Sequence, residues 1–120
     1  MLLQAALLYY LSSQRAFVVH RHGWDKVAHF AAYGVLAVLW IRALHGGFSP
    51  LRARPTLAAV ALTGLYGASD ELHQYFVPGR DSSGYDLLAD LAGAVAAAAI
   101  LWVVTRAPRG APRTAPVESE

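Results

Sequence analysis

The 120-residue chain has no cysteine, and charged residues make up only 15% of it. The first absence excludes a disulfide framework, a thiolate metal centre and a cysteine nucleophile. The second is unusual, because soluble domains carry about 25% charged residues. A soluble domain this short has a high surface-to-volume ratio and needs more polar surface than this. Lysine is almost missing too: nine of the ten basic residues are arginine, which with the abundant alanine suggests a high-GC bacterial genome. No cleavable signal peptide is evident, since no basic region precedes the first apolar run. The chain lacks a Gly-x-Ser-x-Gly elbow, a His-Glu-x-x-His pair, a Walker loop and a dinucleotide fingerprint. No basic-aromatic patch supports nucleic-acid binding.

What remains is apolar. Hydrophobic residues are 56% of the chain. The length allows one domain at most. The favoured fold is therefore all-α, a helical membrane bundle of four segments; a very apolar soluble bundle is the alternative.

Residues 1–11 are apolar apart from Gln4, and Ser12, Ser13, Gln14 and Arg15 end the run. At about 1.5 Å per residue this segment cannot cross a hydrocarbon core of about 30 Å. It is short, partly inserted, or truncated upstream. Residues 24–44 form a second segment long enough to span, with Trp24 and Trp40 near its ends as interfacial aromatics. A loop with Gly46-Gly47 and Ser49-Pro50 follows. Pro55 suits the first position of a third helix over 55–76. Gly64 and Gly67 permit close packing within it. Pro78-Gly79 breaks the chain, and Ser83 fits an N-cap with Asp86 three residues on. A fourth segment covers 85–105, where Gly93, Ala94 and Ala97 make a small-residue stripe. Residues 1–105 are thus a transmembrane helical domain, and 106–120 a disordered cytoplasmic tail.

Arginines 42, 52, 54, 106, 109 and 113 fall on one side of these segments. Four basic residues (Arg15, Arg21, Lys26, Arg80) and six acids (Asp25, Asp70, Glu71, Asp81, Asp86, Asp90) fall on the other. The positive bias places the 45–56 loop and the C-terminus in the cytoplasm.

Three segments then bring ionisable residues to one membrane level. Asp25, His29 and Tyr33 are spaced by four and share a helix face, as do Asp70 with Gln74, and Asp86 with Asp90. Charges facing lipid are costly, so these faces are expected to turn inward around an outward-open polar pocket. A shared proton, a bound cation or an ammonium group would balance its excess of carboxylates. Plainer readings exist: Asp86 as a helix cap, Lys26 snorkelling to the interface, Tyr33 as core. His20, His22, His45 and His73 are expected to be solvated. His29 with several carboxylates could ligate a divalent cation, at a spacing that is not diagnostic.

The run Asp25-Lys26-x-x-His29-x-x-x-Tyr33, then Asp70-Glu71-x-x-Gln74-x-Phe76-x-Pro78-Gly79-Arg80, then Asp86-x-x-x-Asp90-x-x-Gly93 resembles the VanZ-like family over roughly residues 1–105. Tyr10-Leu11-Ser12-Ser13-Gln14 resembles the end of that family's first membrane helix. The resemblance implies a four-helix, multi-pass bacterial membrane protein. The family is named after a member associated with resistance to the glycopeptide teicoplanin. Asp90 departs from it, because asparagine usually stands there.

The residues and the resemblance together suggest a pocket that binds, or modifies, an envelope lipid, a lipid-linked precursor or a glycopeptide-related ligand. Arg80, assisted by Lys26, would grip a phosphate or carboxylate bidentately. Glu71 and His29 are the acid–base candidates, with Asp70, Asp90 and Gln74 orienting them. Asp25, Tyr33 and Asp86 complete the binding set. Two rival classes are a non-catalytic structural or binding module and a proton- or cation-coupled transporter; the latter needs a homo-oligomer.

Overall fold

A computed structural model describes residues 2–12, 24–78 and 83–106. Every regular element among them is a helix: α1 (Leu2–Ser12), α2 (Trp24–Leu44), α3 (Ala53–Tyr75) and α4 (Gly84–Arg106). The side chain of Asp25, the Gly79–Ser82 connection with Arg80 and Asp81, and the tail beyond 106 lie outside the described residues, as do His20 and His22.

The apolar runs dictate these limits. Lys26–Leu44 and Gly84–Arg106 are long and apolar enough to cross a membrane. Only 22% and 17% of these windows are buried within the protein, whereas the core helix of a soluble protein is mostly buried. Their outward residues are Val35, Leu88, Val95, Ile100, Val103 and Val104, all more than half exposed. Apolar outside and polar inside is the arrangement a lipid surrounding favours. α3 is not apolar enough over any such window to count as a third span. Its polar residues Thr56, Thr63, Asp70, Glu71 and Gln74 are instead buried against the neighbouring helices.

α2, α3 and α4 pack together, α2 against α4 most extensively. Glycine sets that approach. A Cβ on Gly93 would collide with the backbone carbonyl of Phe30, and one on Gly34 would lie 3.3 Å from the carbonyl oxygen of Gly93. Small residues at such crossings let helix backbones touch. At one end of the helices Ile41, Leu51, Ala59 and Ala98 form an apolar core, with Trp40, Val60, Leu101 and Trp102 against it. The short α1 is tied down by Gln4, whose Nε2 donates to the carbonyl of Ala32 at 3.0 Å. Its other end meets α3 where Tyr9 faces His73, ring centroids 4.4 Å apart.

Three details differ from the sequence reading. α3 begins at Ala53, so Pro55 stands third in the helix rather than first. This is tolerated because the first intrahelical donor is Thr56 N–H, to Arg52 O, and Pro55 has no N–H to lose. His45 is buried, not solvated. Its Nδ1–H donates to Ile41 O at 2.7 Å and its Nε2 accepts Arg52 N–H at 2.9 Å. One neutral imidazole thus satisfies a helix-end carbonyl of α2 and an N–H at the start of α3. Lastly, His73 is half-buried against Tyr9 rather than solvated. α2 itself ends in a Schellman motif: Gly47 N–H to Arg42 O, Gly46 N–H to Ala43 O, with Gly46 at φ 66.

Candidate functional site

The start of α2, the end of α3 and the start of α4 meet at the end opposite the apolar core, because successive helices run antiparallel. The polar residues of the three segments are gathered there. Tyr33, Asp70, Glu71, Gln74, Asp86 and Asp90 are all buried, and Asp90 has no exposed surface. The four-residue spacings do turn these faces inward.

The bonds between them are specific. Lys26 Nζ donates to Asp86 Oδ1 at 3.1 Å, and the lysine side chain is 43% exposed while the aspartate is 9% exposed. Lys26 therefore forms the rim and Asp86 the wall. Asp86 also stands in the first turn of α4, where the helix dipole favours a negative charge. His29 Nδ1 lies 2.9 Å from Asp90 Oδ1. Its ring stacks on Tyr33, centroids 6.0 Å apart and planes within 5°. Tyr33 in turn packs on Tyr66. Gln74 Nε2 donates to Asp70 Oδ2 at 2.9 Å, so these two members of α3 satisfy each other along one face.

Glu71 makes the least expected contact. Its Oε2 accepts the backbone N–H of Ser83 at 2.8 Å. Ser83 is the N-cap of α4: its carbonyl accepts Asp86 N–H, and its hydroxyl oxygen accepts Tyr85 N–H at 3.3 Å. In a capping box, the third helical residue reaches back to the N-cap amide. Here Glu71 takes that amide from α3, and the third residue, Asp86, is left for Lys26.

Glycine also shapes the site. A Cβ on Gly67 would lie 2.8 Å from Asp90 Oδ2 and 3.3 Å from Tyr33 Cε1. The missing side chain is the seat of the Asp90 carboxylate. Sequence reasoning took Gly67 only as a packing residue; its position three residues before Asp70, on the same face, was the available signal. Ser83 as a backbone donor and Gln4 as an α1 anchor were not assigned either.

Of the acid–base candidates, His29 pairs with Asp90. His29, Glu71 and Asp86 each place one ligand-type atom within 4.8 Å of the others. Among the described residues, Glu71 Oε1 and Asp90 Oδ2 are buried without a hydrogen-bond partner. Other polar groups of the cluster are bonded to one another. A groove of about 290 Å³ lies beside the α2–α4 crossing, walled by apolar residues such as Phe30, Val38, Ile100 and Leu101.

Buried carboxylates with a histidine and a half-exposed lysine, held between helices of which two are long and apolar enough to cross a membrane, are consistent with a membrane protein. The VanZ/LLP1 family profile matches residues 2–105, and the chain belongs to that family. No curated protein and no solved structure matches it.

Proposed function

We propose that this chain is a multi-pass protein of the bacterial cytoplasmic membrane that binds the charged headgroup of an envelope lipid or lipid-linked precursor. In this reading α3 crosses beside α2 and α4, its polar face covered by them. The polar cluster faces outward and the C-terminus lies in the cytoplasm, as the arginines at 42, 52, 54 and 106 favour.

The observation that carries the reading is Lys26. It is a half-exposed cation anchored to a buried carboxylate at the rim of a polar cluster, where a membrane helix begins. Such a group meets an anionic headgroup while the helices below stay in the acyl region. Arg80, in the connection between α3 and α4, adds a guanidinium suited to phosphate or carboxylate. Glu71 and His29 supply acid–base groups for any modification of the bound headgroup. A contribution to teicoplanin resistance is part of this proposal, suggested by the family's name alone.

Native mass spectrometry of the full chain from bacterial membranes tests binding. Wild type is expected to retain an anionic envelope lipid, and the Lys26→Ala/Arg80→Ala double variant to lose it. Glu71→Gln and Arg80→Ala are expected to abolish the cellular phenotype while the protein stays in the membrane. Full activity in both variants would sink this reading.

The cross-links Lys26–Asp86, His29–Asp90 and Glu71–Ser83 favour a second reading, a non-catalytic module whose cluster fixes the helices. There, Glu71→Ala lowers thermal stability in detergent, with no separate effect on function.

A further inference from the structure

His29, Glu71 and Asp86 come from three different helices, and one ligand-type atom of each lies within 4.8 Å of the other two. Two further observations point to something held between them. Glu71 is only 9% exposed, and while its Oε2 is used by Ser83 N–H, its Oε1 is buried without a partner among the described residues. Such a buried acceptor costs free energy unless something fills it. Secondly, His29 has a buried carboxylate at its back. Its Nδ1–H donates to the fully buried Asp90 Oδ1, which leaves the lone pair on Nε2. A carboxylate behind the imidazole is the usual support of a histidine ligand.

The charges agree. Asp70, Glu71, Asp86 and Asp90 are four buried carboxylates, and Lys26 is ion-paired to one of them. With His29 neutral, a divalent cation removes most of the remaining negative charge. One imidazole nitrogen and two carboxylate oxygens suit a borderline first-row ion, whereas Mg²⁺ prefers an all-oxygen, largely hydrated shell.

We propose that His29, Glu71 and Asp86 form a binding site for a divalent first-row transition-metal ion such as Zn²⁺, supported by Asp90 through His29. Three protein ligands leave a fourth position open to water or to an external oxygen donor. The site goes beyond headgroup binding, and the two fail separately. Metal binding without lipid retention leaves this site standing; lipid retention by a protein that takes up no Zn²⁺ leaves only the headgroup reading.

The test uses the full, untagged chain in detergent, stripped with chelator and titrated with Zn²⁺ alone. Elemental analysis and calorimetry are expected to give about one ion per chain, as a site with three protein ligands requires. His29→Gln, Glu71→Gln and Asp86→Asn are expected to lose it. His73→Ala, an imidazole outside the cluster, is expected to keep it. Asp90→Ala is expected to weaken binding about 10- to 100-fold, as loss of a support to a metal-bound histidine does. Co²⁺ provides a readout independent of folding energetics, since its visible absorption is expected to change in His29→Gln. Circular dichroism confirms that each variant is helical before titration. No saturable Zn²⁺ binding by wild type, or undiminished binding in the Glu71→Gln and His29→Gln variants, overturns the proposal.

Discussion

The carboxylate of Glu71 accepts the backbone N–H of Ser83 at 2.8 Å, so a side chain of α3 caps the first turn of α4. The bond spans the α3–α4 connection and ties the two sides of the polar cluster. Hydrogen bonds to charged groups contribute roughly 1.5–3 kcal/mol. Glu71→Ala is expected to cost about that much in metal-free protein, while Glu71→Gln, which retains an acceptor oxygen, is expected to keep most of it. Thermal unfolding in detergent reads the difference. Equal midpoints for the alanine variant and wild type would remove Glu71 from the architecture.

The glycines should rank by what each faces. At Gly93 a Cβ meets the backbone of Phe30, which cannot rotate away; at Gly67 it meets the Asp90 carboxylate; at Gly64 it meets only Leu91 Cδ2, a mobile tip. Gly93→Ala is expected to be the most damaging, at about 1–3 kcal/mol or more by the usual cost of overpacking. Gly67→Ala should come next and Gly64→Ala last. Melting midpoints of the three variants check the order, and a benign Gly93→Ala would contradict the close α2–α4 crossing.

Asp90 is buried completely, with one oxygen on His29 and the other unpartnered among the described residues. An amide there keeps an acceptor for His29 Nδ1–H and removes a buried charge. Asp90→Asn is therefore expected to hold stability within about 0.5 kcal/mol of wild type or to raise it. Asp90→Ala leaves the imidazole N–H unpaired and is expected to cost about 1–3 kcal/mol. Chemical denaturation of the metal-free protein separates these outcomes; a strongly destabilised Asp90→Asn would show that the charge itself is required.

His45 holds the α2–α3 loop by bonds to Ile41 O and Arg52 N. His45→Ala frees both groups. Hydrogen exchange at the Arg52 amide is expected to accelerate at least about tenfold, the equivalent of losing about 1.4 kcal/mol of local protection. The polar cluster at the far end should be untouched. Unchanged exchange would mean that the loop is held by other contacts.

Much of this was legible in the sequence. Apolar run length marked α2 at its observed limits and α4 to within a residue at each end. Spacing by four put His29 with Tyr33, and Asp86 with Asp90, on inward faces, because a charge facing lipid is costly. What periodicity cannot carry is a bond to backbone. Nothing in the pattern of residues 66–90 tells that Glu71 reaches the Ser83 amide, since that depends on the path of the connection between them. His45 was misread for a related reason: one histidine beside two glycines looks like loop surface, and its burial follows from two helix ends that each need a partner. α3 is less apolar than α2 and α4 for a reason visible in its composition, since polar residues run through it on the face that α2 and α4 cover.

The chain has no cysteine, so single cysteines report topology without interference. Pro78, beside the polar cluster, and Ser49, in the α2–α3 loop, are both exposed and lie at opposite ends of α3. Membrane-impermeant maleimide applied to intact cells is expected to label Pro78→Cys and to leave Ser49→Cys unlabelled until the cells are opened. Equal labelling of the two in intact cells, or recovery of the chain in the soluble fraction without detergent, would contradict a membrane protein that presents its buried polar cluster to the outside.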